Sequence, residues 1–259
     1  MSEPLIVLES LSKSFGGLQA VNDCSFEIAS GSITGLIGPN GAGKTTVFNM
    51  IAGALKPTSG RVRFEGEDVT GLPTHVLFHR GIVRTFQIPH EFGGLTVLEN
   101  LLVVPADQPG EGLYWTWFTP GAVRRREFEI REQALETLDF LKLSHLRDEL
   151  ARNLSGGQKK LLELGRAMMA RPKVILLDEP GAGVNPTLLA ELADMIRRLN
   201  TEVGYTICLI EHNMDMIARL CDPVIVMAEG RVLAEGHIDE IRQNKQVLDA
   251  YLGETEEVA

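Results

Sequence analysis

The sequence predicts an α/β protein: a mainly parallel, helix-flanked sheet interrupted by a helical segment in its middle third. Three observations predict it. In the last third, short apolar runs alternate with helix-length amphipathic stretches: Val174 to Leu177, then Pro186 to Asn200; Thr206 to Ile210, then about Met214 to Leu220. That alternation buries both faces of a sheet and favours parallel pairing. Near the N-terminus, the apolar run Ser32 to Ile37 passes directly into the glycine-rich stretch Gly38-Pro39-Asn40-Gly41-Ala42-Gly43-Lys44-Thr45 and then into helical spacing over Thr46 to Leu55. From about Pro89 to Leu154 the pattern changes and is mostly helical.

The remaining elements follow in order. Leu5 to Leu8 and Cys24 to Ile28 are short β-prone runs, and Ser14-Phe15-Gly16-Gly17 between them reads as a turn. Lys56-Pro57-Thr58-Ser59-Gly60 stops the first helix, and Arg61 to Phe64 reads as a strand. Val97 to Val104 is a short apolar helix. Pro105 to Pro120 is loop-like and carries Tyr114, Trp115, Trp117 and Phe118. These aromatics either pack the segment's own small core or face a partner. A longer helix near Ala122 to Leu143 lines one face with Ile130, Ala134, Leu135, Leu138 and Leu141 and covers the other with charge. Pro223 to Met227 and Arg231 to Ala234 are further strands, and Glu254 to Glu257 reads as a solvated acidic tail.

Composition narrows the class. Of 259 residues, 44% are hydrophobic and 23% charged, which excludes a disordered or fibrous chain. No stretch approaches the ~18 apolar residues of a membrane span. A net charge of −10 and a pI of about 5.2 argue against broad binding to nucleic-acid phosphates. Cys24, Cys208 and Cys221 include no Cys-x-x-Cys pair, which suits a reducing compartment rather than a disulfide framework. Met1-Ser2-Glu3-Pro4 opens no secretory signal. The expected location is cytoplasmic.

Three motifs carry chemistry. Gly38 to Thr45 matches G-x-x-x-x-G-K-[ST], a match that composition yields by chance in roughly one chain in a hundred. A phosphate must approach the backbone here, so side chains are unwelcome at Gly38, Gly41 and Gly43. Successive N–H groups then form an anion nest closed by the positive end of the next helix. Lys44 would place its charge on the β- and γ-phosphates, and the Thr45 hydroxyl would ligate Mg²⁺. In Val174-Ile175-Leu176-Leu177-Asp178-Glu179-Pro180, an apolar strand ends in two acids at the ligand-binding edge of the sheet. Asp178 would hold Mg²⁺ and Glu179 would orient or deprotonate a water; a strand ending in a solvated acidic turn reads equally well. Leu154-Ser155-Gly156-Gly157-Gln158 opens a helix to about Ala170. It is either a capped helix start or a second phosphate-binding terminus offering the Ser155 hydroxyl and glycine N–H groups.

The order of these three motifs resembles the ATP-binding cassette (ABC) ATPases, and the resemblance spans nearly the whole chain. It implies a P-loop NTPase core with a mainly parallel sheet, an N-terminal antiparallel β subdomain and an inserted α-helical subdomain. The implied divisions are 1–88, 89–154 and 155–259, with the first and last forming the nucleotide-binding core. ATP and Mg²⁺ are the implied cofactors. The implied nucleotide contacts are Gly38, Asn40, Gly41, Gly43, Lys44, Thr45 and Thr46, with Ser155, Gly157 and Gln158 from the second motif. Phe15, by its residues alone a core or turn phenylalanine, matches the aromatic that stacks on adenine. Gln87 matches a glutamine that touches Mg²⁺ and opens a loop facing membrane subunits, and His212 a histidine contacting the γ-phosphate. The implied catalytic set is Glu179, His212 and Gln87; the metal set is Thr45, Gln87 and Asp178. The other histidines match nothing. One stretch departs from the pattern: after Ala182 the chain has Gly183-Val184-Asn185 where many members have Ser-Ala-Leu-Asp.

Within the family, Arg84-Thr85-Phe86-Gln87, Leu95 to Leu101, Glu211-His212-Asn213-Met214 and Tyr251-Leu252-Gly253-Glu254 are most similar to the ATP-binding subunits of branched-chain amino-acid importers. Subunits for urea or amide uptake and for lipopolysaccharide export are similar too. A non-transport ATPase of the family is the other alternative; those usually carry coiled-coil inserts or two cassettes. The resemblance implies a head-to-tail dimer, with itself or with a second ATPase subunit. It also implies two integral membrane permease subunits, an indirect solute-binding protein, no nucleic acid, and a peripheral position on the inner face of the cell membrane.

Overall fold

The computed structural model describes residues 3–85, 91–106 and 120–256. Strands β1 (Pro4–Phe15) and β2 (Leu18–Ala29) form an antiparallel hairpin whose two-residue turn is Gly16-Gly17. Ser14 and Phe15 therefore belong to the strand, not to the turn expected from the sequence. β1 also runs well past Leu8. A register shift between Leu8 and Leu11 breaks the period-2 pattern, yet Leu11 is buried again beyond it.

β3 (Ile33–Ile37) is buried throughout and leads through the glycine-rich loop into α1 (Lys44–Ile51). This helix begins at Lys44 and ends before Leu55, shorter than the expected span. β4 (Ser59–Phe64) and β5 (Glu67–Asp68) complete a four-stranded sheet of order β2-β1-β4-β5. A short helix α2 (Thr74–Arg80) buries only Leu77; its apolar residues Val76, Leu77 and Phe78 are consecutive and show no helical period in the sequence. It precedes β6 (Ile82–Arg84).

The chain divides into two compact units, Met1–Gln87 with Lys173–Ala259, and Ile88–Pro172. The second contains α3 (Val97–Leu102), α4 (Pro120–Phe140) and α5 (Gly156–Met169). It extends beyond the boundary expected after Leu154 because α5 packs on α3 and α4. On α4, Ile130, Ala134 and Leu138 are buried as expected, whereas Leu135 is half-buried and Thr137 is buried in its place. The aromatic segment Tyr114 to Phe118 lies outside the described residues.

The first unit resumes with β7 (Val174–Asp178), α6 (Pro186–Thr201), β8 (Thr206–Ile210), α7 (Met214–Leu220), β9 (Val224–Ala228) and β10 (Arg231–Gly236). The sheet order is β10-β9-β3-β8-β7-β6. β9, β3, β8, β7 and β6 run parallel, and β10 pairs antiparallel with β9. Helices α8 (Ile238–Gln243) and α9 (Lys245–Glu256) follow. α9 carries Glu254 and Glu256, so the expected acidic tail is in good part helical; the buried Val247 anchors its first turn. Among the described residues no helix is long and apolar enough to cross a membrane.

Asn100 organises the entry to the helical unit. It is fully buried on α3, where its Oδ1 accepts from the Phe92 N–H at 2.8 Å. Its amide nitrogen donates to the carbonyls of Phe92 (3.1 Å) and Thr96 (2.9 Å). A leucine of similar volume leaves the part-buried Phe92 N–H without its side-chain acceptor. Asn100→Leu should therefore lower unfolding free energy by about 2 kcal/mol. Urea titration checks this, and a loss under about 0.5 kcal/mol contradicts it.

Candidate functional site

The parallel register sets the site. Leu36 on β3 and Asp178 on β7 both lie opposite Ile210 on β8, and Arg84 on β6 lies opposite Leu176. The carboxyl ends of four neighbouring strands therefore finish together, where ligands bind in open α/β sheets. Gly38, Arg84, Asp178 and Glu211 each sit at or next to one of those ends.

The glycine-rich loop leaves β3 and caps α1 through Gly43 in the left-handed region. A Cβ on Gly38 would lie 2.0 Å from the Met227 carbonyl oxygen, and one on Gly43 would lie 2.5 Å from that of Ala20. The protein's own backbone on β9 and β2 thus requires glycine at these two positions, whatever a phosphate requires there. A Cβ on Gly41 would meet nothing within 4 Å, so that position faces open space. Lys44 is only 6% exposed, and its Nζ donates to the carbonyls of Gly38 (2.7 Å) and Pro39 (2.8 Å). Its ammonium is thus held against the loop. Asn40, Gly41 and Thr45 are exposed and Thr46 half-buried. An open concave loop with a buried lysine fits a phosphate group.

Asp178 is 4% exposed at the end of β7, which removes the solvated-turn reading. Its Oδ2 accepts from Arg84 Nη2 at 2.7 Å. Nη1 of the same guanidinium donates to Asn49 Oδ1 on α1, and its Nε is buried without a hydrogen-bond partner among the described residues. Arg84 therefore joins β6, α1 and β7 at one point. Among the described residues no cluster of three or more His, Cys, Asp or Glu could hold a metal alone. The oxygens of Asp178 and Thr45 suit Mg²⁺ that takes its remaining ligands from phosphate and water.

Glu179 has φ +49°, a left-handed conformation that is uncommon for a non-glycine residue and concentrates at functional sites. Its N–H still pairs with the Ile210 carbonyl at 3.0 Å, so the turn comes directly after the last rung shared with β8. Its side chain is partly exposed, and Oε1 lies 3.1 Å from Nε2 of His212. Phe15 stands at the end of β1, 48% exposed, with Lys13 Nζ 5.2 Å over its ring. It is a surface aromatic, not a core one. Gln87 lies outside the described residues.

Ser155, Gly157 and Gln158 belong to the other compact unit. Ser155 caps α5: its Oγ accepts from the Gln158 N–H (3.3 Å), and Gln158 Oε1 accepts from the Ser155 N–H (2.9 Å). The reciprocal pair is a capping box. Ser155 is exposed, Gln158 half-buried and Gly157 buried. The cap uses the Ser155 hydroxyl as an acceptor, which leaves its proton to be donated to an anion. Asn185, the residue that departs from the family pattern, caps α6 by accepting from the Leu188 N–H at 3.0 Å. The cysteines contribute no chemistry: burial raises the thiol pKa of Cys24 and of Cys221 to about 12, and that of Cys208 well above its usual range.

Sequence reasoning missed two residues of this edge, Arg84 and Glu211. The signal was present, since both interrupt or end an apolar strand: Ile82-Val83-Arg84, and Thr206 to Ile210 followed by Glu211, as Val174 to Leu177 is followed by Asp178.

The family model described as "ABC transporter" matches residues 21–182, and that described as "Branched-chain amino acid ATP-binding cassette transporter" matches residues 231–257. The chain is 44% identical to the probable branched-chain amino acid transport ATP-binding protein LivG of Archaeoglobus fulgidus, over 96% of this chain and 95% of that protein. It is 40% identical to the high-affinity branched-chain amino acid transport ATP-binding protein BraF of Pseudomonas aeruginosa, over 98% of this chain and all of that one. It is similar to the crystal structure of an ATP-binding cassette of an ABC transporter in its ADP conformation. There the TM-score is 0.84 at 40% identity, with 97% of this chain and 100% of that chain covered.

Removing the Arg84 guanidinium takes the ion-pair partner from the buried Asp178. Arg84→Met should lower the unfolding free energy of the nucleotide-free protein by about 3 kcal/mol, the cost of breaking a buried pair. A change under about 1 kcal/mol in denaturant titration would put the pair in the surface class.

Proposed function

The chain belongs to the ABC transporter family of ATPases, and from that premise we propose that it is the ATP-binding and hydrolysing subunit of an importer for branched-chain amino acids. Solute passes through separate membrane subunits. The observation that carries the solute class is the C-terminal stretch 231–257. It matches the branched-chain amino acid model beyond the segment matched by the general one.

The residues take the following parts. Phe15 offers its exposed ring to adenine. The loop N–H groups from Gly38 through Gly43, with Asn40 and Thr46 beside them, hold the phosphates. Lys44 places its charge on them. Thr45, Asp178 and Gln87 hold Mg²⁺, which when bound neutralises phosphate charge. Glu179 aligns the attacking water and accepts its proton at Oε1 or Oε2. His212, 3.1 Å from Glu179, contacts the γ-phosphate. Ser155, Gly157 and Gln158 complete the site of a second ATPase subunit arranged head to tail. Two helix N-termini, those of α1 and the partner's α5, then favour the same polyanion. Hydrolysis removes the charge that bridges the subunits, so the closed state loses its preference and the dimer opens. The Gln87 loop and the helical unit carry this motion to two permease subunits on the inner face of the membrane, which in turn meet a solute-binding protein.

Glu179→Gln should keep ATP binding and lower turnover by about 100-fold or more, the usual contribution of a general base. Steady-state hydrolysis near the native rate would remove Glu179 from this role. The same tagged variant, loaded with ATP and recovered from detergent-solubilised native membranes, should bring down multi-spanning subunits and, where the dimer is mixed, a second ATPase. Recovery of ribosomal or DNA-associated proteins alone would favour the non-transport alternative. Ser155→Arg should block dimer closure while leaving ATP bound to its own chain. Loss of ATP binding by an isolated Ser155→Arg monomer would contradict a site shared between subunits.

A further inference from the structure

Glu211 is a buried acid with no part in the reading above. It is 4% exposed, and among the described residues it forms no ion pair. Burying a carboxylate is costly unless hydrogen bonds carry its charge. Three backbone N–H groups do so here. Oε1 accepts from Gly181 at 2.6 Å; Oε2 accepts from His212 at 3.0 Å and from Asn213 at 3.3 Å. The first donor lies on the loop that follows Glu179, and the other two lie on the loop that carries the His212 imidazole.

The surrounding backbone explains why a side chain is needed. β7 and β8 pair as far as the Glu179 N–H and the Ile210 carbonyl. At Glu179 the chain turns into the left-handed region and leaves the ladder. The next available donor, the Gly181 N–H, has no strand carbonyl opposite it. The Glu211 carboxylate takes that place and so extends the pairing by one rung through a side chain. Gly181 is fitted to it: a Cβ there would lie 2.7 Å from Glu211 Oε1 and 2.6 Å from Leu189 Cδ1.

We propose that Glu211 is a positioning residue for ATP hydrolysis, its carboxylate tying the Glu179 loop to the His212 loop and so setting the 3.1 Å approach of those two side chains. This rests on the roles assigned above to Glu179 and His212. Neither Oε1 nor Oε2 of Glu211 touches the reacting groups in the structure; its effect passes through the two loops. A carboxylate is suited to the position because it offers acceptors on both oxygens, whereas an amide of the same shape has one acceptor oxygen and presents N–H to N–H on its other side.

The test is Glu211→Gln in the full chain, with Gly181→Ala as a second variant that presses on the same carboxylate while leaving it charged. The readouts are kcat, KM for ATP, equilibrium binding of a fluorescent ATP analogue, and melting temperature. Both variants should lower kcat by about tenfold or more, as small misplacements of catalytic groups do, with analogue affinity and KM within about twofold of native. Native kcat in the two variants overturns the proposal. So does a fall in kcat matched by an equal fall in analogue affinity, which marks a general structural support. If Glu211→Gln does not fold, Gly181→Ala decides on the same criteria. Glu179→Gln, measured alongside, separates the two levels. Native turnover in that variant overturns the assigned roles and this inference with them. Loss of turnover there with native kcat in Glu211→Gln overturns this inference alone.

Discussion

The parallel pairing of β3, β8, β7 and β6 is the constraint on which the rest of the structure depends. Parallel strands in register finish at the same edge, so four segments remote in sequence deliver their next residues to one place. The phosphate loop follows β3, Arg84 ends β6, Asp178 and Glu179 end β7, and Glu211 and His212 follow β8. β3, β7 and β8 are buried along their whole length, so a one-residue slip would turn every side chain to the opposite face of the sheet and displace these groups.

The same edge concentrates buried charge. Among the described residues the buried side chains of Lys, Arg, Asp or Glu are Lys44, Asp178 and Glu211, all at this edge. Each is compensated in a different way: Lys44 by loop carbonyls, Asp178 by the Arg84 guanidinium, Glu211 by backbone N–H groups. Uncompensated, any of them would cost more than the fold can spare. This arrangement yields a stiff set of loops whose polar atoms are already oriented before a ligand arrives, which limits the reorganisation a polyanion requires.

Legibility varied with the length and regularity of the pattern. β7, β8, α6 and α7 were readable because each has a clean apolar run or helical period bounded by turn residues. The sequence pattern of β1 stops at Leu8 because a register shift hides the continuity between Leu8 and Leu11. α2 buries a single side chain, and α9 looked like a tail because its C-terminal half is acidic. The glycine-rich motif is legible, but the contacts that require glycine within it are not. At Gly38 and Gly43 the excluded volume belongs to Met227 and Ala20, residues far off in sequence.

The sequence by itself determined the fold class and the family, and it singles out Lys44, Asp178, Glu179 and His212 but not Arg84 or Glu211. Short motifs at fixed spacing encode local geometry: a strand, a tight loop and a helix start are all decided within about ten residues. Tertiary structure alone decided the partners of those residues. That Arg84 pairs with Asp178, that Glu179 lies beside His212, and that Glu211 holds both their loops depends on which strands are neighbours and in what register. Those pairings join positions 94, 33 and 30 residues apart in the chain, separations over which no periodicity carries information.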